Sequence, residues 1–218
     1  MRLLAIDTSG ETCSAALLCG TDLTQVLELA PRRHGELILD MMGRLLAEAG
    51  STLSDCDALA FGRGPGSFTG VRIACAVVQG AAFGAGLPVI GISTLAALAQ
   101  GHYRLGGHRR ILAALDARMG EVYWGCYRIG DEGLAEALGE ELVAAPTQVP
   151  RPPGGGWHGV GGGFGAYAQE LRQALGPILS GCDPAQSCEA RDIATLAAAA
   201  WRLGQAVPPE LALPVYLR

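Results

Sequence analysis

Apolar residues near the start of the chain fall into short unbroken runs. Residues 3–6 form one that ends at Asp7, the pattern of a buried strand. Asp7-Thr8-Ser9-Gly10-Glu11 is turn-forming. Residues 12–18 read as the return strand of a hairpin and residues 23–29 as a third strand. A helix then starts between Pro31 and His34. Its apolar positions Leu37, Ile38, Met41, Met42, Leu45, Leu46 and Ala49 recur at helical spacing on one broad stripe, and Gly50 stops it. Residues 58–61 predict the next strand, followed by a glycine-rich turn. Ser67 or Thr69 caps a long apolar helix over 71–86. Residues 88–92 predict another buried strand, and Ser93-Thr94 caps a helix through Gln100. The expected order is β-β-β-α-β-α-β-α.

A second start appears at Arg110. Arg2-Leu3-Leu4-Ala5-Ile6-Asp7 and Arg110-Ile111-Leu112-Ala113-Ala114-Leu115-Asp116 each run from an arginine through an apolar strand to an aspartate. A turn and another strand follow, the second over 121–127. The aspartates are 109 residues apart (116 − 7), half the chain, which suggests an internal duplication. Residues 146–156 are a proline- and glycine-rich loop, 157–160 a strand, 161–165 a glycine turn into a helix through Leu175. Asp192 caps a last helix over 193–203, and the proline-containing tail 208–218 is not helical throughout. Two domains are expected: residues 1–104, and a smaller one over 105–218 whose last helix packs back on the first.

Composition narrows the classes. Half of the 218 residues are apolar and 17% are charged, so a sizeable core is expected. The net charge of −5 gives no general attraction to nucleic acid. All 16 basic residues are arginine, which excludes a Walker-type phosphate lysine and a Schiff-base lysine. None of the seven cysteines forms a C-x-x-C pair. Cys13, Cys19, Cys75 and Cys126 read as small core side chains, Cys182 and Cys188 as more exposed. A structural zinc site is not expected from these spacings. Asp7 comes too early for a secretory signal, and the apolar run 71–87 is short for a membrane span, so a cytoplasmic location is expected.

Candidate chemistry concentrates in two places. Gly62, Gly64, Gly66 and Gly70 lie between a strand and a helix, where a loop either cradles an anion or brings backbones close. An acidic residue ending the first strand of a hairpin, in each of two α/β halves, suggests an actin-like ATPase architecture. There the turns grip phosphate and the aspartates hold a metal through water. Asp7, Thr8, Ser9 and Asp116 are the candidate positions, against the alternative that Asp7 only closes its own turn. His34 opens the first helix with Ile38 four residues on, so the paired histidines that would bind a metal on one helical face are absent. His102, His108 and His158 are scattered among loops. No metal site and no catalytic residue are expected. The helices over 36–49 and 71–86 are broadly apolar and read as a protein–protein surface, or as elements sandwiched in one core.

Ile6-Asp7-Thr8-Ser9, the helix opening at His34, the segments 64–72 (GPGSFTGVR), 88–95 (PVIGISTL) and 115–123 (LDARMGEVY), and the end 214–218 (PVYLR) together resemble the TsaB family, also called YeaZ, of bacterial tRNA threonylcarbamoyladenosine biosynthesis proteins. The resemblance covers nearly the whole chain. It implies an α/β actin-like ATPase (ribonuclease H-like) fold of two related βββαβα-type halves. It implies a non-catalytic relative of TsaD, which carries the histidine pair and transfers the threonylcarbamoyl group to an adenosine beside the anticodon. It further implies a scaffold that stabilises a TsaD-type subunit, joined by a TsaE-type ATPase, or a homodimer through the same face when alone. The interface expected on that basis comprises His34, Leu37, Ile38, Met41, Met42, Leu45, Val71, Ala74, Val77, Val78 and Ala81. Asp7, Thr8, Ser9 and Asp116 become vestiges of a nucleotide site. No cofactor is then tightly bound by this chain, ATP and metal belong to the partner subunits, and tRNA is met only through the complex. The alternative is an ATPase or phosphotransferase using Asp7 and Asp116. The second half is short, which speaks against a full adenine pocket.

Overall fold

The structure, a computed structural model, describes residues 1–217; Arg218, the last residue of the PVYLR end, lies outside them. Two compact units form: residues 1–94 with 188–215, and residues 95–187 with the final residues. They are not consecutive segments, because the chain returns to the first unit for its last helix.

In the first unit, β1 (Arg2–Asp7), β2 (Thr12–Cys19) and β3 (Asp22–Leu29) form an antiparallel meander. β4 (Ala58–Gly62) pairs parallel to β1, and β5 (Val89–Ile92) parallel to β4, giving the order β3-β2-β1-β4-β5. The parallel crossovers need helices, which the apolar segments supply: α1 (His34–Glu48) and α2 (Phe68–Ala85). Side chains alternate across a strand. Leu4 and Ile6 enter the core with Ile38, Met41, Leu45, Ala74 and Val78 of those helices. The opposite face is covered by α6 (Ala190–Arg202), which packs on β1, β2, β4 and β5.

The second unit repeats the plan. β6 (Arg110–Arg118), β7 (Glu121–Ile129) and β8 (Ala135–Ala137) are antiparallel; β10 (Trp157–Val160) and β11 (Leu179–Asp183) add in parallel, so the order is β8-β7-β6-β10-β11. β9 (Leu142–Ala144) also pairs with β7. α3 (Thr94–Gly106) covers one face through Leu95, Leu98 and Ala99. α4 (Gly163–Ala166) and α5 (Ala168–Leu175) cover the other through Phe164, Leu171 and Leu175. The duplication inferred from the two strand-to-aspartate segments is therefore present in the sheet order. The second unit is shorter because β9 and a loop stand between β8 and β10, where the first unit has α1.

Several boundaries differ from expectation. α3 runs on from Gln100 to Gly106, because Gly101 and His102 are still buried and packing outweighs the helix-breaking tendency of glycine. α6 begins at Ala190, so Asp192 lies in its first turn and is not its cap. The first N–H groups of α6 are met from the sheet instead: Ala190 donates to Ser14 Oγ and Arg191 to Gln25 Oε1, each at 2.9 Å. Cys188 is buried rather than exposed. For α2, Ser67 is the N-cap, accepting from the Gly70 N–H, and Gly86 ends it in the left-handed region.

A glycine loop closed on the first hairpin turn, and two helices facing outward

The glycine-rich loop packs against the backbone of the β1–β2 turn. Ser67 donates its N–H to Ser9 O at 2.7 Å, and Thr8 Oγ1 donates to Gly70 O at 2.6 Å. A Cβ on Gly70 would collide with the Thr8 carbonyl, and one on Gly66 would stand 2.7 Å from the Ser9 carbonyl. A Cβ on Gly62 would collide with the Asp7 carboxylate. These three glycines are required because protein fills the space they leave. The loop is fixed from behind as well: Thr94 donates to Gly64 O and Val215 to Arg63 O.

Asp7 is 0% exposed. Its Oδ2 accepts from the Ser9 N–H at 3.2 Å and the Ser9 hydroxyl at 3.1 Å, while Oδ1 is buried with no hydrogen-bond partner among the described residues. Burial pushes its pKa up to about 6, although the Ser9 bonds favour the anion. Cys188 and Asp192 lie nearby, and burial with these acids holds the Cys188 thiol well above its ordinary range. Asp116, the counterpart in the second unit, is used locally. It accepts from the Arg118 N–H at 2.8 Å and from Tyr167 Oη at 3.1 Å, and it pairs with the Arg118 guanidinium at 3.1 Å. Thr8 and Ser9 are buried, the Thr8 hydroxyl donating to Gly70 O and the Ser9 hydroxyl to Asp7.

Most of the interface residues expected on α1 and α2 lie inward. His34, Ile38, Met41, Met42, Leu45, Val71, Ala74 and Val78 are buried within the unit, where they pack in its own core. Leu37, Val77 and Ala81 are half-buried at the edge of that core. The helices present other residues outward: Leu39, 60% exposed, with Gly43 and Ala47 on α1, and Ala76, Gly80, Gly84 and Phe83, 79% exposed, on α2. At the start of α2, the Arg72 guanidinium lies over the exposed Phe68 ring, 3.4 Å from its centre. Nor is α2 apolar on a single side only. The chain's tail covers part of it, with Cys75 Sγ and Gln79 Nε2 both donating to Ala212 O.

The loop histidines are not scattered. His102, His108 and His158 come together in the second unit, His102 on α3, His108 in the turn before β6 and His158 on β10. Fifty residues separate His108 from His158 (158 − 108), and no periodicity links them.

A twice-repeated 3-2-1-4-5 sheet with an aspartate on each central strand defines the actin-like ATPase class, ribonuclease H-like in each half, here with its first loop closed on the hairpin turn. The family model described as "TsaD: tRNA N6-adenosine threonylcarbamoyltransferase" matches residues 26–156. The "tRNA threonylcarbamoyladenosine biosynthesis protein TsaB" of Escherichia coli K12 is 43% identical over 221 residues, covering 100% of this chain and 95% of that protein. The protein of the same name from Haemophilus influenzae is 45% identical over 185 residues, 80% of this chain and 78% of that one. The solved structure "YeaZ from Pseudomonas aeruginosa" is 46% identical, covers 99% of both chains and superimposes with a TM-score of 0.93. The chain belongs to the TsaB (YeaZ) family.

Proposed function

We propose that this protein is a non-catalytic subunit in the synthesis of threonylcarbamoyladenosine on tRNA, where it stabilises a TsaD-type transferase. The observation that carries this reading is the closed loop. The positions that would grip a phosphate in an actin-like ATPase, Asp7, Thr8 and Ser9, are buried against glycines 62, 66 and 70. What the fold leaves open is the outer strip of α1 and α2, where Leu39 and Phe83 stand free of the core amid small residues that allow a close approach. A specific interface of ordinary size buries roughly 800 Å² per partner. The partner on that strip is the TsaD-type subunit, or a second copy of this chain when TsaD is absent. A TsaE-type ATPase joins the pair. ATP and metal are held by those partners, tRNA is met through the assembly, and the complex works in the cytoplasm.

Co-purification tests the interface. Leu39→Asp and Phe83→Asp should each abolish capture of the TsaD-type subunit while leaving the thermal transition of the free protein in place. Capture that survives both changes would place the interface elsewhere. The alternative, an ATPase or phosphotransferase built on Asp7 and Asp116, predicts tight calorimetric binding of magnesium ATP to the isolated chain, lost on Asp7→Ala. The closed loop predicts none.

A further inference from the structure

Three of the chain's four histidines share one place in the second unit. One imidazole nitrogen from each of His102, His108 and His158 lies within 4.8 Å of the other two. Tetrahedral coordination with Zn–N bonds of about 2.0–2.1 Å sets nitrogen–nitrogen separations of about 3.4 Å. His102 Nε2 and His158 Nδ1 stand at 2.6 Å and share a hydrogen bond, with His158 Nδ1 donating, so a metal bound there displaces that proton. Opening that pair and drawing in the widest one is within the broad χ2 freedom of histidine rings.

The surroundings are those of a built ligand set. His102 Nδ1 lies 2.8 Å from Gln186 Oε1, and the Gln186 amide is turned the right way round by donating Nε2 to Leu98 O at 3.3 Å. Nδ1 of His102 is therefore the protonated nitrogen, and its Nε2 lone pair faces the cluster. Such an outer partner orients a metal-bound histidine. Room for the rings is made by glycine: a Cβ on Gly181 would stand 2.6 Å from His158 Nε2, and one on Gly106 would stand 2.8 Å from His108 Cδ2. The rings lie nearly parallel, the His108 and His158 centroids 3.9 Å apart, which crowds three groups that gain nothing from one another when charged. The neutral ring is the form that ligates a metal.

The geometry points to a transition-metal site in the second unit: His102, His108 and His158 bind one divalent ion of the zinc, cobalt or nickel class, tying the end of α3 and the turn before β6 to β10. Imidazole sets suit these ions rather than magnesium or calcium. A fourth position is left for water.

The test uses the full chain, stripped with a chelator and titrated with Zn²⁺ and Co²⁺ by calorimetry, with elemental analysis after dialysis. About one ion per chain is expected. The cobalt form should show the visible bands of a tetrahedral nitrogen and oxygen site, without the near-ultraviolet thiolate band that the seven cysteines would give. His108→Ala, at the most open of the three rings, should weaken binding by more than about 100-fold, and Gln186→Ala by about 10–100-fold. Cys182→Ser, one residue along β11 from Gly181, should change nothing. Because His102 is buried, its substitution risks the fold, so His158→Asn in the His108→Ala background is the second test and should remove binding with the thermal transition of the metal-free protein kept. Absence of binding, a thiolate band, or equal affinity in wild type and double variant would overturn the assignment. None of these readouts depends on tRNA modification.

Discussion

Gly70 is set by a carbonyl rather than by a ligand. Its helix begins with the Thr8 backbone against its α-carbon, and Gly70→Ala must push one of them away. Overpacking of this kind costs about 1–3 kcal/mol, to be read as a lower urea midpoint at unchanged slope. The glycines at 62, 66 and 70 were legible in the sequence as a demand for close approach. What approaches was not, because a phosphate and a carbonyl oxygen ask the same thing of a glycine. Asp7 adds a pH signature. Its pKa rises from the ordinary 3.8 to about 6 on folding, chiefly through burial. The folded protein therefore keeps a proton that the unfolded chain releases, and the stability this contributes is full below pH 3.8. It falls as pH rises toward about 6 and is gone above that, an amount of about 3 kcal/mol. The Cys188 thiol beside it is held well above this range, and Asp192 is present in both proteins when wild type is set against Asp7→Asn. The variant should lose the slope between pH 4 and 6 and be the more stable of the two at pH 7, as measured by chemical denaturation across that range. A variant with the wild-type slope would show that Asp7 is ionised throughout.

At the level of elements, α1 was readable because its apolar stripe is bordered by charge, and the burial of Ile38, Met41, Met42 and Leu45 follows that stripe. α2 hid its orientation. With alanine, glycine and cysteine on most faces, composition does not distinguish the side packed on β4 from the side shown to solvent. The two sets of positions now separate by experiment. Met41→Ala should lower stability by about 2–5 kcal/mol, the cost of a core cavity, whereas Leu39→Asp two residues away should stay within about 0.5 kcal/mol of wild type. Thermal and urea unfolding of the two variants checks the pair. β8 and β9, three residues each, carry too few alternations to announce themselves, and α6 takes its start from Ser14 and Gln25 of neighbouring strands rather than from a residue of its own segment.

Across the whole molecule the repeat was the most legible property, since two strand-to-aspartate segments half a chain apart mark two sheets of one topology. The histidine cluster was the least legible. Its members come from a helix, a turn and a strand that only the second sheet brings together. The proposed function joins the closed loop to the open helices: on that reading the chain acts through the surface of α1 and α2 and not through its own nucleotide chemistry. Its direct measurement is threonylcarbamoyladenosine formed on tRNA in a reconstituted system with TsaD- and TsaE-type partners, supplied in turn with wild-type chain, Asp7→Asn, and Leu39→Asp with Phe83→Asp. The account predicts full modification with Asp7→Asn and loss with the surface double variant. Loss with Asp7→Asn and full modification with the surface variant would contradict it.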